Sequence, residues 1–211
     1  MIGAAAALIP AAARAQFYSY PAFQPPQITV REYNFAAADG GDSGTSLLFQ
    51  WREGMGARTN LVLDAGLADP DARGANARFI IGGSGVLRIN AATADLPLDM
   101  VVTGGIGGSF GDGTSFLRLP VGLSVGHRFA LDEPFAVTPY AHPRIAIDHC
   151  SQCSGRGTSS TKLGVDVDLG VGVEVNRNIA LRASLLLAGS DFYGRDNAVG
   201  VSLVWTPNRL Q

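Results

Sequence analysis

The clearest pattern in the chain is a strict alternation of apolar residues with small or acidic ones over residues 162–176. Every second position from Leu163 to Val175 is leucine or valine, and the positions between them carry glycine, aspartate or glutamate. Side chains alternate between two faces in a β-strand, whereas a helix would spread the same residues around its axis. The segment therefore predicts a strand with one apolar face and one small, polar face.

The same period of two recurs along most of the chain and predicts ten strands. They cover residues 28–37, 44–52, 58–67, 78–90, 96–110, 117–129, 134–148, 162–176, 179–187 and 199–205. The connections after the second, fourth, sixth and eighth strands are short, and most of the others are longer. An even number of strands, with short turns on the side of both termini and longer loops opposite, is typical of transmembrane β-barrels.

We therefore expect an all-β fold, a closed, antiparallel, up-and-down transmembrane β-barrel of ten strands over residues 28–206. The last strand should pair with the first, because this pairing removes both edges of the sheet. Eight strands are the alternative, if the weak first strand and one neighbour do not form.

The segments outside the expected barrel have distinct compositions. Residues 1–15 are an alanine-rich apolar run with a small-residue end, which is typical of a secretory signal peptide. A short helix docked on the domain is the alternative for this run. Residues 16–27 are rich in proline and aromatic residues and favour an extended segment. Residues 207–211 form a short C-terminal tail.

The composition of the two strand faces decides which one points outward. A soluble ligand-binding barrel has an apolar interior and a charged exterior. Here the polar face consists of glycine, serine, alanine and scattered arginine and aspartate. Only 16% of the chain is charged, and Lys162 is its one lysine. Such a face fits a narrow interior better than a solvated exterior, so we expect the apolar face to contact lipid.

Bulky aromatic residues mark both ends of the expected apolar faces. Rings of this kind gather at the two membrane–water boundaries of outer-membrane barrels. We therefore predict an aromatic girdle of Trp51, Phe129, Phe135 and Trp205 at the end that carries the termini, with Phe79 and Phe110 at the other end.

Charged residues of both signs fall on the expected interior face. A charge in a narrow barrel loses solvation, so it needs a partner or access to water. Their numbers nearly cancel, which favours a lumen filled by paired charges over the single-sign lining of an ion-selective pore. The inward set comprises Arg58, Arg78, Arg88, Arg118, Arg128, Arg144 and Arg182 with Asp64, Asp99, Asp148, Asp166, Asp168 and Glu174.

The remaining candidate chemistry is sparse. Cys150 and Cys153 lie in the longest expected loop, and in an exported protein they predict a local disulfide. With His149 they would offer only three metal ligands, so we expect no metal site and no cofactor. Asp148 and His149 are neighbours on a strand and point to opposite faces, so we expect no enzyme active site. The net charge of −2 argues against a nucleic-acid partner.

The chain resembles the small outer-membrane β-barrel proteins of bacteria, the broad opacity-protein and porin-like group. The resemblance covers residues 28–205 and rests on 163–189, 121–142 and the closing strand AVGVSLVW. In that strand Gly200, Leu203 and Trp205 resemble the signal recognised by the barrel-assembly machinery. The resemblance implies location in the bacterial outer membrane, with outer-membrane lipid and the assembly machinery as partners.

These observations favour a structural or surface-interaction barrel. An extracellular partner would then bind the long loops at residues 68–77, 149–161 and 190–197. A narrow porin-like channel for water, ions or small solutes is the alternative, and an outer-leaflet enzyme is a weaker one.

Overall fold

The computed structural model describes residues 22–71, 76–111, 113–152, 159–189 and 197–207. Ten long strands build one antiparallel sheet, and the short strand β7 continues the pairing of β6 along β8. The strands are β1 (Arg31–Asp39), β2 (Thr45–Gly54), β3 (Thr59–Asp69), β4 (Arg78–Asn90), β5 (Asp99–Gly111), β6 (Thr114–Gly126), β7 (Phe129–Ala130), β8 (Ala136–Ser151), β9 (Ser160–Glu174), β10 (Ile179–Ala188) and β11 (Ala198–Trp205). A single 3-10 turn, Gly41–Ser43, joins β1 to β2. No helix in these ranges is long and apolar enough to cross a membrane.

The sheet closes on itself. β1 pairs with β11 from Tyr33 opposite Trp205 to Asp39 opposite Val199, and β6 pairs with β8. The predicted ten-stranded antiparallel barrel is therefore confirmed, together with the pairing of its first and last strands. The alternative of eight strands is wrong, because the weak first strand forms a full ladder with both neighbours.

The barrel has two different ends. The terminal rim carries the start of β1, the end of β11 and the short turn at residues 175–178. The opposite rim carries the ends of β3, β8 and β10.

The hairpin of β8 and β9 extends further toward the opposite rim than its alternation predicts. Its ladder continues through His149 opposite Thr161 and Cys150 opposite Ser160. The prediction that both cysteines lie in a loop is therefore wrong for Cys150, which is a buried strand residue. Cys153 lies outside the described residues.

The orientation of the two faces is clear in β9. Leu163 and Val165 are 67% and 49% exposed, whereas Asp166 and Asp168 are at most 1% exposed. The outer surface is thus apolar and the interior polar, which is the reverse of a soluble barrel.

The chain preceding β1 runs inside the barrel. The carbonyl of Val30 accepts a hydrogen bond from Gly54 N–H at the terminal rim, at 2.7 Å. Deeper in the lumen, Phe23 is fully buried and packs with Ala36, Ala38 and Leu48 of the inner wall. We call residues 22–27 the plug. Small residues on the inner faces of β1, β5 and β11 leave the space that it fills.

Candidate functional site

The interior of the barrel contains three clusters of charged side chains, and the one nearest the terminal rim lies around Glu32. Arg182 donates two hydrogen bonds to the Glu32 carboxylate, at 2.7 and 2.8 Å. Arg52 Nε lies 3.9 Å from the same carboxylate. All three side chains are buried, so each charge depends on the others for its compensation.

The middle cluster is centred on Asp168. Its carboxylate lies 3.1 Å from Arg144 Nη2 and 3.6 Å from His142 Nδ1. The other ring nitrogen of His142 lies 2.9 Å from Thr103 Oγ1. Asp168 also accepts a hydrogen bond from the backbone N–H of Ala22, at 3.1 Å, and so joins the plug to the wall.

The upper cluster lies near the opposite rim and is centred on Arg118. This guanidinium forms an ion pair with Asp166, and its Nε lies 3.6 Å from Asp148. Nearby, Arg78 is buried and donates to Ser109 Oγ at 2.9 Å and to the carbonyl of Gly111 at 3.1 Å. These side chains occupy the part of the lumen next to the opposite rim.

The buried charges cancel within the described residues. They comprise five arginines and five carboxylates: Arg52, Arg78, Arg118, Arg144 and Arg182 with Glu32, Asp64, Asp148, Asp166 and Asp168. A lining with balanced signs gives no preference for cations or anions.

Wall side chains hold the plug mainly by its backbone. Gln50 donates to the carbonyl of Ala22 at 3.1 Å, and Arg182 donates to that of Phe23 at 3.3 Å. Ser124 Oγ donates to the carbonyl of Gln24 at 2.7 Å. Because each bond comes from a different strand, the plug crosses the lumen and ties several walls together.

One glycine of the wall is matched to the plug. A Cβ atom at Gly200 would lie 2.6 Å from the ring of Phe23, closer than van der Waals contact allows. Gly172, which also faces the lumen, would place a Cβ no closer than 3.8 Å to Arg182. The closing strand is therefore shaped around the Phe23 ring.

A small polar cavity of about 40 Å³ remains beside the plug. It is lined by Gln24 of the plug and by Asp64, Thr103, His142 and Arg144 of the wall. This volume admits a few water molecules.

The cavity of about 40 Å³ is smaller than a lipid or a peptide. Asp168, His142 and Thr103 follow one another as in an acid–base–hydroxyl chain, but they are sealed inside the lumen. The described residues also contain no group of three His, Cys, Asp or Glu side chains that could hold a metal ion.

The structure separates the predicted interior charges into two groups. Eight are buried in the lumen: Arg78, Arg118, Arg144, Arg182, Asp64, Asp148, Asp166 and Asp168. Five lie instead at the terminal rim: Arg58, Arg88, Arg128, Asp99 and Glu174. They lie at the ends of strands or in the adjoining turns, where water reaches them.

Four of these rim residues have local partners. Arg128 and Glu174 form an ion pair with an N–O distance of 2.6 Å, and the two side chains are 44% and 29% exposed. Arg88 donates to the carbonyl of Ala57 at 2.7 Å, and Asp99 accepts from Ala92 N–H at 3.0 Å. These contacts stabilise turns and do not fill the lumen.

Sequence analysis missed Glu32 and Arg52 as interior charges. Glu32 has the same strand parity as Asn34 and Ala36, and Arg52 has that of Gln50. This parity is visible in the sequence, but the alternation of β1 is weak because Ala36, Ala37 and Ala38 form an unbroken run.

The six predicted girdle residues all lie on the outer surface. Phe79 and Phe110 are opposite one another on β4 and β5 near the opposite rim. Near the terminal rim, Trp205 stacks on Tyr33 with ring centroids 5.4 Å apart. Trp51, Phe129 and Phe135 lie toward the same rim.

The remaining predicted site residues lie at the two rims. Leu203 and Trp205 face outward on the closing strand, whereas Gly200 faces the lumen. At the opposite rim, Cys150 is disulfide-bonded.

No family model and no curated protein matches the chain. Solved structures do match. A bacterial polysaccharide outer membrane secretin is 12% identical with a TM-score of 0.49, and the match covers 78% of this chain and 57% of that one. LpxR from Salmonella typhimurium is 12% identical with a TM-score of 0.47, covering 86% of each chain. A KdgM porin is 6% identical with a TM-score of 0.44, covering 84% of this chain and 99% of that one.

The chain thus spans little more than half the length of the secretin that it matches. The three proteins differ in role, and similarity at these TM-scores carries no conclusion about function.

Proposed function

We propose that the chain is an outer-membrane β-barrel with a closed lumen, which serves as a structural or surface-interaction protein without a catalytic role. The observation that carries this proposal is the filling of the lumen by the plug and by balanced buried charges, inside a wall whose outer face is apolar. An apolar outer face is stable in hydrocarbon, while the charges behind it are compensated internally.

Conductance across a planar lipid bilayer tests the closed lumen. The full chain, refolded in detergent and inserted into the bilayer, should give no stable open channel. An open porin of known conductance, inserted in the same membrane, serves as the positive control. A reproducible conductance of the wild-type chain would contradict the closed lumen and favour the narrow channel.

The narrow channel is the second candidate because of the cavity beside the plug. Its polar lining by Asp64, His142 and Arg144 could pass water if the side chains above it moved. The ion pairs of Arg118 with Asp148 and Asp166 support a closed route over this alternative.

The surface-interaction role is assigned to the loops of the opposite rim, which we place outside the cell. They lie within residues 68–77, 149–161 and 190–197, between the strand ends Asp69 and Arg78, Ser151 and Ser160, and Ala188 and Ala198; most of the third range and parts of the other two lie outside the described residues. Replacing each loop with a short glycine–asparagine turn should leave the heat-modifiable gel migration of the refolded barrel unchanged. Any cell-surface binding by the protein should be lost in the same variants, and its retention would contradict this assignment.

A further inference from the structure

We propose that the lumen is a binding site for an extended, uncharged peptide and that the plug occupies it as a tethered ligand. The proposal builds on the closed lumen proposed above and names the chemistry that closes it. It assigns a ligand class to the lumen, in addition to its being closed.

The first argument is the pattern of hydrogen bonds to the plug. Asp168 accepts from Ala22 N–H, while Gln50, Arg182 and Ser124 donate to three successive carbonyls, those of Ala22, Phe23 and Gln24. Side chains that bind backbone groups of a ligand recognise an extended peptide without reading most of its sequence. Here the donors and the acceptor come from four different strands. The wall of the barrel therefore presents a set of polar side chains that together fit the backbone of one extended segment.

The second argument is the set of side-chain pockets. Phe23 is fully buried in a pocket of Ala36, Ala38, Leu48, Ala68 and Ile80, and the missing side chain of Gly200 makes room for its ring. The amide of Gln24 donates to Ser84 Oγ at 3.2 Å, and that of Gln27 donates to Thr138 Oγ1 at 3.1 Å. The site therefore selects an aromatic residue followed by an amide side chain.

The third argument is charge. The plug, AFQPPQ, carries no charged side chain, and the wall around it is already balanced by its own ion pairs. A charged peptide side chain placed there would be buried without a partner, at a large cost in free energy. The ligand class is thus an uncharged segment that contains proline, which cannot form a helix and loses little conformational freedom on binding.

Competition between the tethered plug and a free peptide tests the proposal on the full chain. The probe is a fluorescent, amidated peptide of residues 22–27 with an acylated amino terminus, titrated into detergent-refolded protein and followed by anisotropy. In the wild-type chain the tethered plug competes at an effective concentration on the order of millimolar, so the peptide should bind weakly. In the variant Phe23→Ala the tethered plug binds its site more weakly and the Phe23 pocket is empty. This variant should therefore bind the peptide at least about tenfold more tightly than the wild-type chain does.

Two matched controls identify the pocket. The peptide in which Phe23 is replaced by alanine should bind the Phe23→Ala chain about tenfold or more weakly than the original peptide. In the double variant Phe23→Ala with Gly200→Leu, the leucine side chain fills the pocket from the wall. This variant should therefore lose the tighter peptide binding of the Phe23→Ala chain. Equal binding of the two peptides to the Phe23→Ala chain, or equal binding of the peptide to the wild-type and Phe23→Ala chains, would overturn the proposal.

Hydrogen exchange on the wild-type chain keeps the proposal testable if Phe23→Ala does not refold. The amide of Ala22 should be protected, and millimolar free peptide should increase its exchange by displacing the plug. Exchange at the rate of an unstructured peptide would overturn the proposal, as would protection that free peptide leaves unchanged. These titrations need no bilayer, so a failure of the peptide site is distinguishable from a conducting lumen.

Discussion

The charged residues of this barrel differ in their access to water, and therefore in whether water could solvate a charge that lost its ion-pair partner. Arg118 lies beside Asp148 and Asp166, which are at most 1% exposed, whereas Arg128 and Glu174 meet at the rim in contact with solvent. The same chemical pair therefore has a different energetic weight in the two places, because burial removes the solvation that would otherwise compensate each charge.

We expect Arg118→Met to lower the free energy of unfolding by about 3–5 kcal/mol, because it leaves two buried carboxylates without their shared cation. Guanidinium unfolding of the detergent-refolded protein measures this loss. The control Arg128→Met removes a cation of equal charge at the rim and should cost less than about 1 kcal/mol. Similar losses for both variants would show that water reaches the upper cluster.

Two lumen glycines allow a comparison of the plug's fit. Gly200→Ala should lower the free energy of unfolding by about 1–3 kcal/mol, because its Cβ collides with the Phe23 ring. Gly172→Ala has room and should have little effect. The same unfolding measurement, repeated on Gly200→Ala combined with Phe23→Ala, should show that the cost of the alanine at position 200 disappears. If Gly200→Ala still lowers the free energy of unfolding in the Phe23→Ala background, the loss arises within the closing strand and not from the Phe23 ring.

Strands and the plug differ in how far the sequence predicts them. β9 was predictable because its alternation from Leu163 to Val173 is uninterrupted. The polarity of each residue therefore indicates whether its side chain faces the lumen or the outer surface. The upper end of β8 was missed because the residues around Cys150 show no apolar–polar alternation in the sequence, and it is their pairing with β6 and β9 that extends the strand. The plug was predicted to be extended, but its place in the lumen was not. Its partners Asp168 and Arg182 are 146 and 159 residues away, and no local pattern reports such contacts.

The wall strands predict how the barrel responds to a charge on its outer face. Leu169 lies mid-strand on β9 and is 44% exposed, and Met55 lies in a rim turn and is 68% exposed. In lipid vesicles Leu169→Arg should cost about 2–4 kcal/mol, because its charge lies in hydrocarbon, whereas Met55→Arg should be close to neutral. Guanidinium unfolding from vesicles measures both. A neutral Leu169→Arg would contradict the placement of this face in a membrane.

At the scale of the whole molecule, we expect the rim opposite the termini to face the outside of the cell. Lys162, the single lysine of the chain, is exposed at the opposite rim. A membrane-impermeant amine reagent should therefore label it on intact cells, and mass spectrometry of the purified protein would locate the label. Lys162→Arg keeps the charge, removes the reactive amine and serves as the control. Labelling of Lys162 only after permeabilisation of the outer membrane would indicate the inverse orientation.

The pairing of β1 with β11 also determines when the contacts of the barrel interior form during folding. Glu32 precedes Arg182 by 150 residues, and the glycine that seats Phe23 is in the last strand. Contacts between such distant residues form late and slowly, and until then β1 presents an open edge for association with other chains. The wall, the full set of bonds to Glu32 and the seat of the plug are thus completed together, when β11 pairs with β1. A chain interrupted before β11 would combine an open edge, a Glu32 carboxylate that keeps Arg52 but lacks its two bonds from Arg182, and an aromatic ring without its seat. We expect such a chain to be a substrate for proteases and chaperones.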